Sequence, residues 1–154
     1  HADRYAWLTT PYLIISDEMQ RALTLAARRG VDVRIITPGI PDKKMVFRVT
    51  RSHYARLAAH GVRIFEYSPG FIHAKQAVAD DRAAVVGTIN LDYRSLYLHF
   101  ENACWFTGCG AVKDVRKDFE ALFPQCREVT DQYKVRSAAV RGVDCLLRLF
   151  SPLM

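Results

Sequence analysis

The sequence predicts an α/β domain in which a mixed β-sheet carries helices on both faces. Two observations point there. The first half alternates short apolar, β-prone runs with longer amphipathic ones, punctuated by glycine and proline. The second half breaks that alternation with two apolar runs separated only by Asp80-Asp81, which is hairpin spacing. A chain of 154 residues, 50% hydrophobic and 25% charged, can bury one core and is too apolar for disorder.

Residues 5–10 (YAWLTT) form a buried strand stopped by Pro11. Ser16 caps a helix whose first turn is acidic (Asp17, Glu18) and whose last is basic (Arg28, Arg29), with Gly30 as the stop. Residues 31–37 (VDVRIIT) are the second strand, closed by Pro38-Gly39. Asp42 caps a second helix that runs to about Ala59 before Gly61, and residues 62–67 (VRIFEY) are the third strand. Such an order implies parallel pairing through right-handed crossovers. Residues 71–79 and 82–87 make the hairpin, 101–106 a further strand, and 113–123 and roughly 132–150 two helices. Val143, Leu146, Leu147 and Phe150 give the last helix an apolar side that packs on the core by default, with a place at a membrane interface as the alternative. There is no repeat, linker or low-complexity stretch, so residues 1–154 read as a single domain.

A net charge of +6 and a pI near 9.3 favour an anionic partner: a nucleic acid, an acidic membrane surface or a phosphate-bearing substrate. Mild basicity is also common in soluble domains. Lys44, Arg48 and Arg51 recur at helical spacing, a solvated face by default and a membrane-facing stripe as the alternative. Cys104, Cys109, Cys126 and Cys145 form no C-x-x-C pair and read as reduced, mostly buried thiols rather than metal ligands or disulfides. No run of 18 apolar residues is present. The chain opens His1-Ala2-Asp3 and enters a strand almost at once, as expected of a piece of a longer protein whose membrane anchor lies elsewhere.

The chemistry concentrates in the hairpin. His73 and Lys75 are two apart on an expected strand, so their side chains share a face. If Ala79 pairs with Arg82, the register sets His73 opposite Thr88, with Asn90 just beyond. Imidazole can serve as nucleophile or proton donor near neutral pH. Lysine supplies fixed positive charge for non-bridging phosphoryl oxygens, and Thr88 and Asn90 offer neutral donors to the same atoms. That inventory suits a phosphodiester and needs no metal or cofactor. Asp80 stands at an odd offset from Lys75, which reads as support for the turn rather than direct chemistry. Thr10-Pro11-Tyr12 closes the first strand at the end where open α/β sheets gather ligands, so Tyr12 is a candidate for lining the substrate path. For Arg94 beside Asp92, a structural ion pair is the expected use.

His73-x-Lys75-x4-Asp80 followed by Gly87-Thr88-x-Asn90 resembles the signature of the phospholipase D superfamily. The stretches TPYLIISDE, GFIHAKQAVADD, GTINLDYRSLYLHFE and the closing LLRLFSPLM resemble the C-terminal half of bacterial cardiolipin synthases, so the likeness spans nearly the whole chain. It departs at Leu13-Ile14-Ile15 and at His99, where those enzymes often carry Phe-Ile-Pro and Asn.

The resemblance implies a phospholipase D-like fold and the transfer of a phosphatidyl group between two phosphatidylglycerol molecules, through a phosphohistidine. His73 would attack phosphorus or protonate the leaving glycerol, Lys75, Asn90 and Thr88 would hold the phosphate, and Asp80 would be the signature aspartate. Glu101 matches an acidic residue that holds the histidine ring from behind. The superfamily works with two such sets, so this chain is expected to supply one half-site and an N-terminal half of the same enzyme the other. The implied partners are anionic phospholipid and the cytoplasmic face of the cell membrane; nucleic acid is not expected. A homodimeric phosphodiesterase or nuclease of the same superfamily is the alternative.

Overall fold

The computed structural model describes residues 1–134 and, beyond them, residues 140, 142 and 147. Its first half follows the predicted alternation: β1 (Tyr5–Thr9), α1 (Asp17–Arg28), β2 (Asp32–Pro38), α2 (Lys44–Ala58) and β3 (Arg63–Tyr67). The hairpin strands β4 (Gln76–Ala79) and β5 (Ala83–Gly87) come next, then a five-residue π-helical turn at Arg94–Leu98. β6 (Ala103–Thr107), α3 (Gly110–Leu122), a 3-10 turn at Phe123–Gln125, β7 (Cys126–Glu128) and α4 (Thr130–Lys134) complete the described elements. One seven-stranded sheet results, ordered β6-β5-β4-β1-β2-β3-β7. The pairs β1–β2 and β2–β3 are parallel and the other four antiparallel, so the sheet is mixed as predicted.

Local chemistry explains most boundaries. The Ser16 hydroxyl accepts from the Met19 amide and caps α1. Gly30 and Gly61 adopt φ of +93° and +91°, the left-handed conformation that lets each chain leave its helix. Asp42 does not cap α2: its carboxylate accepts from the Tyr12 hydroxyl at 2.5 Å and from the Lys43 amide at 2.6 Å, and the helix begins one residue later. β7, which the sequence reading did not foresee, forms because Phe65, Glu66 and Tyr67 present a free edge to the chain returning from α3.

Two cores lie on opposite faces of the sheet. Val33, Ile35 and Ile64 pack beneath α1 and α2 with Leu23, Tyr54 and Leu57. Trp7, Ile36, Phe65 and Val78 pack beneath α3 with Val112 and Phe119. Each fully buried aliphatic or aromatic side chain contributes about 1.5–3 kcal/mol. Two polar groups inside are held by close partners: the Tyr54 hydroxyl lies 2.6 Å from that of Thr37, and Glu66, 2% exposed, accepts from Nε and Nη2 of Arg51 at 2.9 Å and from Arg127 at 3.2 Å. Arg51 is therefore committed to an internal ion pair, and the expected basic stripe on α2 loses its third member. Cys104 and Cys109 are exposed and Cys126 half-buried, against the expectation of buried thiols. Burial pushes the Cys126 thiol up to about 11.

The predicted last helix is observed over Thr130–Lys134; its apolar positions Val143, Leu146 and Phe150, the closing motif and Cys145 lie outside the described residues. Among the described residues no helix is long and apolar enough to cross a membrane.

Candidate active site

The hairpin turn is built by two aspartates in the left-handed region, Asp80 at φ +56° and Asp81 at φ +59°. The Arg82 amide closes it by donating to the Ala79 carbonyl at 2.9 Å, and pairing resumes with Ala79 opposite Ala83. The expected register, Ala79 opposite Arg82, is thus off by one, because Arg82 belongs to the turn. Lys75 consequently lies opposite Gly87, with the Gly87 amide donating to its carbonyl at 3.1 Å.

His73 and Lys75 precede β4 rather than sitting on it, since ladder pairing begins at Gln76, where β1 ends at Thr9. They still meet. The Lys75 ammonium donates to the His73 carbonyl at 2.8 Å and lies 2.9 Å from Nδ1 and 3.1 Å from Nε2 of the same ring. A row of rings leads to the imidazole, Tyr12 to Phe71 at 6.3 Å and Phe71 to His73 at 5.6 Å. Burial lowers the Lys75 ammonium below the ordinary lysine value, and the charges of Glu101 and Asp92 pull it back only in part.

After β5 the chain crosses to the end of β1. The Leu91 amide donates to the Thr10 hydroxyl at 3.1 Å and the Ile14 amide to the Leu91 carbonyl at 2.8 Å, which fixes Asn90 between them. The Asn90 carboxamide donates to the Ser95 hydroxyl at 3.0 Å, and its Oδ1 is buried without a hydrogen-bond partner among the described residues. Asp92 caps the π-helical turn by accepting from the Ser95 amide at 2.8 Å, instead of pairing with Arg94 as expected. Tyr12, Lys43, Asn90, Arg94, Ser95 and His99, with Ile14 and Val46, line a pocket of mixed polarity of about 320 Å³ beside this network. Burial and its bond to Asp42 push the Tyr12 phenol up to about 12, so it stays protonated at neutral pH.

Glu101 does not hold the His73 ring in this structure. Its carboxylate accepts from the Thr88 hydroxyl, which in turn accepts from the Asn102 amide at 3.0 Å. Thr88 thus spends its one proton on Glu101 rather than on an open site. Hydrogen bonds from Thr88 and Ser95, with the nearby His99 and Lys75, hold the Glu101 carboxyl below its ordinary range. Asp80 stands apart from all of this. Only 6% exposed, it accepts from the amides of Asp3 at 2.7 Å, Arg4 at 2.9 Å and Tyr5 at 2.9 Å, at the far end of β4. Burial would raise its carboxyl, but those three donors and Arg82 outweigh burial and hold it below the ordinary aspartate value. Asp80 therefore holds an anchoring position, with its hydrogen bonds going to residues 3–5 and none to His73 or Lys75 among the described residues.

Of the predicted set, His73 meets Lys75, Thr88 meets Glu101, and Asn90 and Tyr12 share one pocket; Asp80 is separate. Ser95 and Phe71 join the site without having been singled out for it. Ser95 falls five residues after Asn90, at the start of the π-helical segment that begins at Arg94.

A family model described as cardiolipin synthase, PLD-like domain, matches residues 1–123. The chain belongs to that family. It is 46% identical over 151 residues to an uncharacterized protein of Streptococcus mutans serotype c, covering 97% of this chain and 33% of that one. Identity is 36% to a cardiolipin synthase of Geobacillus sp. strain WCH70 and 36% to cardiolipin synthase 2 of Bacillus anthracis, each over 99% of this chain. This phospholipase D-like chain spans about a third of the length of those curated relatives, 31% and 30% respectively. Among solved structures it superposes on Nuc, a phospholipase D family member of Salmonella typhimurium, with a TM-score of 0.71, 19% identity and 82% of both chains covered. Against the phosphatidylserine synthase of Haemophilus influenzae the TM-score is 0.74 and the identity 17%, over 99% of this chain and 40% of that one. These two likenesses establish the phospholipase D-like fold.

Proposed function

We propose that this chain supplies one of two half-sites of a cardiolipin synthase, which transfers a phosphatidyl group from one phosphatidylglycerol to another and releases glycerol. The contact of the Lys75 ammonium with the His73 ring carries the reading, because it sets a nucleophile or acid beside the charge a phosphoryl group requires. Membership of the family supports it.

In the first step an imidazole nitrogen attacks phosphorus, the P–O bond to glycerol breaks, and the departing oxygen takes a proton from a second, protonated histidine. In the second step the hydroxyl of another phosphatidylglycerol attacks phosphorus. Its proton passes to that second histidine, and the P–N bond breaks to give cardiolipin. His73 fills one of these roles and a histidine of the enzyme's N-terminal half the other. Lys75 and Asn90 hold the non-bridging oxygens and Tyr12 lines the lipid path. Glu101 acts by position, fixing Thr88 and Ser95 and balancing Lys75, while Asp80 anchors the hairpin. Anionic phospholipid is the substrate class, at the cytoplasmic face of the membrane, with the anchor outside these residues.

The test is product analysis with the full-length protein and labelled phosphatidylglycerol. Cardiolipin and glycerol in equal amounts are expected. Phosphatidic acid alone, or salt-sensitive cleavage of DNA without lipid transfer, would replace this reading with the phosphodiesterase or nuclease one. The isolated chain, proven monomeric, is expected to show no turnover.

A further inference from the structure

Transfer of a phosphatidyl group to phosphatidylglycerol brings two phosphates together. One is transferred; the other belongs to the accepting lipid and passes into the product unchanged. Two such anions held a glycerol's length apart repel each other, and cations beside the second offset that repulsion. His73, Lys75 and Asn90 serve the first.

The pocket beside Asn90 has cations to spare. At about 320 Å³ it falls within the ~300–1,000 Å³ usual for ligand sites. Lys43, at the start of α2, and Arg94, on the π-helical turn, both line it. Among the described residues neither forms an ion pair, whereas Arg51, Arg63 and Arg116 each do. Arg94 Nη2 lies 3.4 Å from Nε2 of His99, another lining residue. The carboxylates nearby are engaged: Asp92 accepts from the Ser95 amide, and Asp42 from the Tyr12 hydroxyl and the Lys43 amide. The first turn of α2 holds no acidic residue and no side-chain cap, so the helix dipole adds to the positive potential there.

We infer that this pocket is the acceptor subsite, in which Lys43 and Arg94 hold the phosphodiester of the phosphatidylglycerol that receives the phosphatidyl group. The inference rests on the transferase reading above and gives the second substrate a place. Asn90 joins the two sites, since it lines the pocket and also serves the transferring phosphate. The row Tyr12, Phe71, His73 runs from the pocket to the imidazole. A lipid suits the surroundings better than a soluble phosphate: Ile40 and Met45 stand near Lys43 in the chain, Leu98 and Phe100 follow Arg94, and all four are exposed. Water is the competing acceptor. A lipid held by its phosphate presents its hydroxyl at high effective concentration, so that hydroxyl attacks phosphorus, its proton passes to the second histidine, and the P–N bond breaks to give cardiolipin rather than phosphatidic acid.

The experiment compares two acceptors in the full-length protein, with phosphatidylglycerol vesicles and labelled glycerol in solution. Glycerol carries no phosphate and turns the phosphohistidine back into phosphatidylglycerol, so exchange of label reads the reaction without the acceptor lipid. In the Lys43→Gln, Arg94→Gln double variant, cardiolipin formation is expected to fall about tenfold or more and phosphatidic acid to rise, while exchange stays near the parent level. Lys43→Arg and Arg94→Lys keep the charge and should retain most cardiolipin formation. Parallel loss of both activities, unchanged cardiolipin formation, or charge-keeping variants as poor as the glutamine ones would each overturn the inference. Inorganic phosphate should leave the ratio of the two activities unchanged; a selective block of cardiolipin formation would give the pocket to free phosphate instead. Failure of the transferase reading shows in the parent, which would then make no cardiolipin, and takes this inference with it. Failure of the inference alone shows only in the variants.

Discussion

The hydroxyl of Thr88 donates to the carboxylate of Glu101, across the gap between the end of β5 and the approach to β6. The two residues act as a unit, so their removal should not add. Thr88→Val and Glu101→Gln are each expected to slow lipid transfer in the full-length protein, and the double variant to be no slower than the worse single one. Multiplicative losses in steady-state kinetics would show the contact to be incidental.

His73 is exposed and packs only against Phe71 and Lys75 among the contacts described, so its loss should spare the fold. His73→Ala is expected to lower transfer by about 10³-fold or more while the near-ultraviolet circular dichroism stays unchanged. Residual activity near the parent level would remove His73 from the chemistry.

Burial lowers the Lys75 ammonium, and the charged form is the one that serves phosphate. Activity should therefore fall as pH rises through this lowered value, earlier than an ordinary lysine would allow. Lys75→Arg keeps the charge to higher pH and should move that alkaline limb upward at reduced kcat. Lys75→Ala should cost about 10²–10³-fold in kcat. A limb that stays in place in the arginine variant would assign it to another group.

Asp80 carries an acid dependence of stability. Its carboxyl sits lower in the folded protein than in the unfolded chain, so the unfolded chain binds the extra proton in acid. The contribution is complete above about pH 4, the ordinary aspartate value, and is lost as pH falls through the folded-state value. Asp80→Asn should cost about 1–3 kcal/mol at neutral pH and flatten the acid limb, measured by urea unfolding at several pH values. An unchanged acid limb would trace it to other carboxylates.

Gly87 is a close-approach position. A β-carbon there would lie 2.3 Å from the Asn102 carbonyl oxygen and 2.6 Å from the α-carbon of Ala103, both backbone atoms that cannot swing aside. Gly87→Ala should destabilise the protein by about 1–3 kcal/mol and pull Thr88 away from Asn102, seen as a lower midpoint in thermal melts.

What could be read without coordinates was what local chemistry controls. Ser16, Gly30 and Gly61 end or begin helices by their own preferences, and Asp80-Asp81 announces a turn. Short apolar, β-prone runs place residues 5–10 and 31–37 on strands whatever their neighbours do, and the strands form at Tyr5–Thr9 and Asp32–Pro38. The errors arose where a distant partner decided. Tyr12 took Asp42 from its cap, Asp3 drew Arg82 outward at 2.8 Å as the turn absorbed it, and the end of β1 set where pairing of β4 begins. Within the site, residue identities were legible but contacts were not. The resemblance points Glu101 toward His73, whereas the pairing of β5 with β6 brings Thr88 to its carboxylate.

The anchoring of Asp80 also bears on the order in which the molecule assembles. Its bonds to the amides of Asp3, Arg4 and Tyr5 join positions 77, 76 and 75 residues apart, a closure that costs about 4 kcal/mol of chain entropy by polymer scaling. The β1-α1-β2-α2-β3 portion closes much shorter loops and can consolidate before that seam is made. His73 and Lys75 lie just upstream of the seam, so they come into register only once it has formed. Partial denaturation that opens the same joint would then silence the site while most helical signal remains.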